Sequence, residues 1–385
     1  MKIMLLAGEA SGDLHGSTLA RELRRRRPGL ELFGIGGQRM AEAGVRLLFD
    51  PTRVSLIGFG EALRRLPLFR RWQGEVKRAL RRERPDAVVL IDFGGFNLGV
   101  AAYAARLGIP AVYYIPPAAW AWGEGRAAKV AKSCTRVASV FPFEAEVYRK
   151  AGARVTFVGH PLLDLIRPPV NREKTRSAFG VRPGEYLVGL LPGSRRQEVE
   201  QLLPVMLAAG ERLAGRLDGL RWALGLAPTI DRERVAGLAA ASGLPVHISP
   251  AAHDVMQAAD VLMVASGTAT LEAALFGTPM VMVYRVGAFT AWLARRLVKV
   301  RHYALPNILA GEEVVPELVQ EDLTAERLAE EVEGYLRDPD RRERTRQRLQ
   351  AVVAKLGEPG AAGRAAAVVL EAAEEGRGKN RGGDV

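Results

Sequence analysis

The chain holds a single cysteine, Cys134, in 385 residues. That excludes an intrachain disulfide and any cysteine-based metal cluster, and it agrees with a reducing compartment. Its five histidines (His15, His160, His247, His253 and His302) are scattered, with no pair at the spacing of metal ligands. Asp338-Pro339-Asp340 imitates an Asp-x-Asp metal motif, but it falls between two helical patterns, where a turn or helix cap is the ordinary use of such residues. No metal and no cofactor is expected. No apolar run approaches the roughly 20 residues of a membrane-crossing helix. The opening Met1-Lys2-Ile3-Met4-Leu5-Leu6-Ala7 is too short for a signal-peptide core and reads as a first strand. Gly34-Ile35-Gly36-Gly37 lacks the third glycine of a dinucleotide fingerprint, Arg39 standing in its place, so nicotinamide binding is rejected. Internal repeats are absent.

What is present is a globular composition, 48% hydrophobic and 25% charged, in a chain long enough for two domains. Short apolar runs at 3–6, 31–35, 87–91, 111–114, 136–140 and 155–158 alternate with helical patterns. After a stiff pause at Leu165-Ile166-Arg167-Pro168-Pro169-Val170 the alternation restarts at 186–190, 221–224, 246–249, 260–264 and 280–283. Alternation of this kind predicts parallel α/β sheets. The expected architecture is two doubly wound, Rossmann-like domains facing a cleft, at 1–166 and 171–345. Helices at 346–375 are expected to pack back on the first domain, followed by a disordered tail at 376–385.

The net charge of +12 allows nucleic acid, anionic membrane or anionic small molecules as partners. Residues 64–84 hold nine Arg or Lys against two Glu, beside Leu66, Leu68, Phe69 and Trp72. Apolar residues next to a cationic face read as a lipid-headgroup element, with Arg70 and Arg71 contributing charge. The plainer reading is a solvated Arg-rich helix face. Residues 289–299 are a second candidate. Nucleic acid is not expected, because the aromatic residues form no recognisable nucleic-acid motif.

Four segments place chemistry at the ends of strands. Ala265-Ser266-Gly267-Thr268-Ala269-Thr270-Leu271-Glu272 reads as strand end, tight turn and helix start. Ser266, Gly267 and Thr268 would offer backbone N–H groups and the positive end of a helix dipole to an anion. Glu272, one turn in, could accept hydrogen bonds from a ribose. Leu190-Leu191-Pro192-Gly193-Ser194-Arg195 repeats the pattern, and Arg195 could grip a diphosphate with two parallel hydrogen bonds or simply be an exposed arginine on a capped helix. Gly8-Glu9-Ala10-Ser11-Gly12-Asp13 follows the first strand. Ser11 or Asp13 would cap the next helix, which leaves Glu9 as the functional candidate there, a catalytic candidate together with Asp92, while Ser11 is also a candidate substrate contact. Asp92, in Ile91-Asp92-Phe93-Gly94-Gly95, reads either as a general base at a strand end or as a turn residue.

Together these segments resemble the lipid-A-disaccharide synthases, family-19 glycosyltransferases of the GT-B architecture. The resemblance is carried by Gly8-Glu9-Ala10-Ser11-Gly12-Asp13, Ile57-Gly58-Phe59-Gly60-Glu61, Trp120-Ala121-Trp122, Pro142-Phe143-Glu144, Phe157-Val158-Gly159-His160-Pro161, the segments 34–40, 191–198 and 266–272, Tyr284-Arg285 and Leu305-Pro306-Asn307-Ile308-Leu309-Ala310-Gly311. It implies transfer of a diacylglucosaminyl unit from a UDP-sugar donor to an acylated sugar phosphate acceptor, with inversion. It also implies a peripheral place at the inner face of the cytoplasmic membrane and no required metal. By motif, Asp92 would be the catalytic base, Arg195 the diphosphate partner, Glu272 the ribose holder and Asn307 a group near the leaving group. The chain departs from the family pattern at Phe93-Gly94-Gly95 and across 115–123, where a hydroxyl and a cation are missing, so acceptor specificity stays open. The alternatives are a GT-B enzyme with another acceptor and a UDP-N-acetylglucosamine 2-epimerase-like enzyme.

Overall fold

The computed structural model describes residues 1–52, 66–119, 124–166, 172–287 and 301–381. The chain divides into two compact units, Met1–Leu165 with Leu356–Val385, and Ile166–Lys355. The linker at 167–171, the Trp120-Ala121-Trp122 and Ile57–Glu61 motif positions and the 289–299 segment lie outside the described residues.

The first unit is built on β1 (Lys2–Ala7), β2 (Glu31–Ile35), β3 (Arg46–Phe49), β4 (Ala87–Ile91), β5 (Ala111–Tyr114), β6 (Arg136–Ser139) and β7 (Val155–Phe157). They form one parallel sheet in the order β3-β2-β1-β4-β5-β6-β7. The second unit has β8 (Tyr186–Leu191), β9 (Leu220–Gly225), β10 (Val246–Ser249), β11 (Val261–Ala265), β12 (Met280–Tyr284) and β13 (Glu317–Val319). Its parallel order is β10-β9-β8-β11-β12-β13. In both sheets the order reverses beside the first strand, at β1/β4 and at β8/β11. The loops leaving those two strands diverge, and an open doubly wound sheet binds ligands there.

Burial explains why these runs become central strands. In β1 the odd residues Ile3, Leu5 and Ala7 pack with Leu19, Leu23 and Val369 on one face of the sheet. The even residues Met4 and Leu6 pack with Trp72, Val76 and Leu80 on the other. A strand covered on both faces must be apolar at every position, which is why it reads as an unbroken run. The helix Ala361–Arg381 supplies part of the first unit's core through Ala365, Val369 and Ala372. It stays helical through Arg381, where the sequence led us to expect disorder from 376. The preceding helix Pro339–Ala354 belongs to the second unit, and Asp338 caps it by accepting the Arg341 N–H at 2.8 Å.

One expectation in the glycine-rich regions changes. Asp13 lies inside the helix Ala10–Arg26 and does not cap it. Its buried carboxylate instead accepts N–H groups of Gly37, Arg39 and Met40 at 2.7, 3.1 and 3.0 Å, capping the short helix after β2. Gly34 adopts φ +153°, and a Cβ there would meet the Leu5 carbonyl oxygen at 1.8 Å. Close strand packing accounts for that glycine without a bound nucleotide.

Candidate active site

In the second unit, the ends of β8, β9, β10 and β11 surround a cavity of about 600 Å³. Its lining includes Arg195, Glu198, Ser266, Gly267, Thr268 and Glu272. Five candidate residues of the sequence reading, Arg195, Ser266, Gly267, Thr268 and Glu272, are therefore brought to one switch point. The turn after β8 depends on Gly193, at φ +110°, where a Cβ would lie 2.4 Å from a Glu198 carboxylate oxygen. Glu198 accepts the N–H groups of Ser194 and Arg195 at 3.1 and 3.2 Å, closing the start of the helix Arg196–Ala214. The same carboxylate takes Nη1 of Arg195 at 2.6 Å. Arg195 is 64% exposed and so reaches the cavity while steered from behind. A guanidinium presents its N–H donors in a planar fork, a geometry that suits a diphosphate.

After β11, the helix Thr268–Leu275 begins behind Gly267. Ser266 donates its hydroxyl to the Tyr303 carbonyl at 3.1 Å. The first-turn N–H groups of a helix have no partner within it, and with the helix dipole they favour an anion. Glu272 is hydrogen-bonded to Nε2 of His253 at 3.0 Å. His253 also lines the cavity, and the sequence reading missed it. Its only sequence signal was a position just beyond the end of β10.

Asn307 is placed differently from the expectation. It is fully buried, outside the cavity lining. Its amide nitrogen donates to the Val315 carbonyl and to Glu317, both at 2.8 Å. Its oxygen accepts Val314 and Val315 N–H groups at 2.8 and 3.0 Å. Glu317 in turn accepts the N–H groups of Tyr303 and Ala304. The Asn307 side chain is engaged in fixing the segment that holds Ser266.

In the first unit, Asp92 and Glu9 flank the β1/β4 switch point, because Ala7 and Ile91 are partners in the register and each residue follows its strand. Glu9 is exposed at the N-terminus of the helix Ala10–Arg26, and Ser11 is exposed in its first turn. Asp92 and Phe93 adopt φ +49° and +52°, and Ile115, just past β5, adopts +55°. Left-handed backbone is uncommon outside glycine and is an outlier for a β-branched residue. The Asp92 carbonyl is pinned by Nδ2 of Asn97 at 2.7 Å and by the Tyr113 hydroxyl at 3.0 Å. Burial raises the Asp92 pKa above the ordinary aspartate value. The strained turn is thus held by buried polar partners at the sheet's carboxyl edge.

Glu144 is a further buried carboxylate, 3% exposed. The Ser139 hydroxyl oxygen lies 2.9 Å from both Glu144 Oε2 and the Phe141 carbonyl. One hydroxyl proton serves one of these, so a protonated Glu144 completes both contacts. Burial pushes its pKa up to about 8.

The expected membrane element is corrected in part. Trp72 is 9% exposed and stacks on Phe49 at 5.6 Å. Phe69 packs edge-on against Trp72 and tilts over Phe93, and Leu68 joins the same core. The side chain of Leu66 lies outside the described residues. The apolar side of the helix Leu66–Glu83 faces protein, leaving Arg70 and Arg71 exposed as charge alone. Among the described residues, no helix is long and apolar enough to cross a membrane.

A family model described as lipid-A-disaccharide synthetase matches residues 3–372. The chain belongs to that family. A lipid-A-disaccharide synthase of Geobacter sulfurreducens is 44% identical over 371 residues, covering 96% of this chain and 97% of its own. Among solved structures, a putative UDP-N-acetylglucosamine 2-epimerase from Listeria monocytogenes is similar with a TM-score of 0.66 at 13% identity, covering 96% and 95% of the two chains. MurG of Acinetobacter baumannii is similar with a TM-score of 0.57 at 15% identity, covering 96% and 99%. At these identities the likeness is one of fold, and the fold is GT-B. The two Rossmann-like sheets in one chain agree with it.

Proposed function

We propose that this member of the lipid-A-disaccharide synthase family moves a 2,3-diacylglucosaminyl unit from UDP-2,3-diacylglucosamine to 2,3-diacylglucosamine 1-phosphate. The products are a β-1,6-linked disaccharide 1-phosphate and UDP. The single observation that carries the reading is the cavity at the β8/β11 switch point, where Arg195, the start of the helix Thr268–Leu275 and Glu272 meet. That set suits a nucleoside diphosphate: an anion-binding helix end, a two-pronged cation and a carboxylate for ribose hydroxyls.

In the proposed reaction, the Asp92 carboxylate accepts the proton of the acceptor 6-hydroxyl. The oxygen attacks the donor's anomeric carbon from the face opposite UDP, and the bond from that carbon to the phosphate oxygen breaks. Negative charge grows on the departing diphosphate, where Arg195 and the N–H groups after Gly267 stabilise it. The raised pKa makes Asp92 a stronger base than an exposed aspartate. Glu9 and Ser11, beside the same switch point, are assigned to holding the acceptor. Phe93-Gly94-Gly95 opens the helix Gly94–Arg106 next to the base, so this departure from the family pattern bears on the acceptor. Membrane contact, at the inner face of the cytoplasmic membrane, is assigned to the basic side of the helix Leu66–Glu83 through charge rather than insertion.

The epimerase alternative rests on fold likeness alone, whereas the family match spans nearly the whole chain. An acceptor-dependent UDP-release assay tests the proposal. UDP should appear only when both acylated sugars are present, and Asp92→Asn should abolish its release. Equal release without acceptor would reject the transfer.

A further inference from the structure

His253 plays no part in the reaction above, yet it lies in the cavity and touches one of its working groups. Its Nε2 is 3.0 Å from Glu272 Oε2. It stands at the start of the helix Ala252–Ala258, and Glu272 belongs to the helix Thr268–Leu275, so the contact ties two helices that border the cavity. The ring leans on Phe276 at 5.6 Å, which restricts its orientation. His253 is half exposed, open to solvent and to a ligand.

A carboxylate that receives two vicinal hydroxyls must be held in one rotamer, with an oxygen free on the ligand side. The hydrogen bond to Oε2 restricts that rotamer, in a residue that lines the cavity. We propose that His253 is a positioning residue for nucleoside diphosphate binding. It fixes Glu272 for the ribose and, when protonated, adds a positive charge beside the diphosphate. The proposal rests on the donor reading of this cavity.

Among the described residues, the groups facing His253 are these. Glu272 approaches from the neighbouring helix, Asp254 is adjacent on its own helix, and both favour the imidazolium. Phe276 is neutral, and Arg195 and Glu198 line the cavity as a hydrogen-bonded pair. The Glu272 hydrogen bond holds the His253 pKa above the ordinary histidine value. Its charge is therefore present on the acid side and is lost as pH rises through that raised value. Neutral imidazole still donates from Nε2 in the appropriate tautomer, so the orienting effect outlasts the charge.

The experiment is calorimetric titration of the full-length protein with UDP at pH 6, 7 and 8.5, for wild type, His253→Gln and His253→Ala. Wild-type affinity should weaken about tenfold more across this range than that of His253→Gln, a comparison that cancels the titration of UDP itself. His253→Ala should bind UDP about five- to tenfold more weakly than wild type at pH 7. Turnover at saturating donor should stay within about twofold, so the loss appears in KM and not in kcat. Uridine should lose affinity with His253→Ala but show little dependence on pH, since it keeps the ribose without the phosphates. Circular dichroism of each variant establishes that it is folded, and His253→Gln, close in size, carries the test if His253→Ala is not. UDP bound equally by all three proteins with parallel pH profiles would overturn the proposal while leaving the donor site in place. Failure of wild type to bind UDP at any pH would instead overturn the donor reading, and this inference with it.

Discussion

Asp92 holds a backbone conformation that residues other than glycine rarely adopt, and burial raises its carboxyl pKa above the ordinary aspartate value. A base works ionised, so a raised pKa moves the acid limb of the rate profile upward. Activity should therefore fall as pH drops through a value above that of an exposed aspartate, and a pH–rate profile of kcat/KM checks it. At Arg195, replacement by Ala should lower kcat by about a hundredfold or more, the scale of losing one transition-state charge partner. Arg195→Lys should recover only part of the loss, because a point charge lacks the two-pronged geometry; steady-state kinetics distinguish the three proteins. Glu144 gives a prediction about stability. Its pKa is about 8 in the folded protein against 4.5 ordinarily, so between these values the folded state holds a proton that the unfolded state has released. Stability from this group falls as pH rises from about 4.5 to 8, by about 1.4 kcal/mol for each pH step of one across that interval. Glu144→Gln removes that loss, and its Tm relative to wild type should be higher at pH 9 than at pH 5.

The helix Leu66–Glu83 shows what one element's pattern can and cannot reveal. Its mixture of arginines with Leu68, Phe69 and Trp72 reads equally as a lipid-facing face or a core-facing one, because periodicity reports a face and not its partner. Core packing decided it. Trp72→Ala should cost about 3–5 kcal/mol of stability, the usual scale for a buried aromatic, and leave liposome binding unchanged. Lys77 and Arg81 lie over the Tyr103 ring and are left in place. Replacing Arg70, Arg71, Arg78 and Arg82 by Gln should release the protein from anionic vesicles, at about 1 kcal/mol per residue near the surface. Wild-type binding should be reversed by high salt in a co-sedimentation assay, since charge without insertion is screened. The central strands were legible because full burial makes them continuous apolar runs. β3 and β13 were not, being short edge strands that carry Arg46 and Glu317. Arg195, Ser266 and Glu272 were legible because strand–turn–helix is a local pattern. The His253–Glu272 contact was hidden because it depends on how two separate helices pack.

For the molecule as a whole, both units share one winding, and the candidate residues lie at the points where the strand order reverses. This placed Asp92 beside Glu9 in one unit and Arg195 beside the Ser266–Glu272 turn in the other. Asn307, though part of a motif, is buried in the interior. The diphosphate is assigned to a guanidinium and a helix end, so activity should persist in EDTA. Loss in EDTA with recovery on adding magnesium would reassign the leaving-group chemistry. The most direct test of the central claim is mass spectrometry of the products after incubation with UDP-2,3-diacylglucosamine and 2,3-diacylglucosamine 1-phosphate, with NMR of the new linkage. The expected result is one disaccharide 1-phosphate with a β-1,6 bond, formed in equal amount with UDP. Recovery of both substrates unchanged, or conversion of the UDP-sugar to its 2-epimer without a disaccharide, would contradict it.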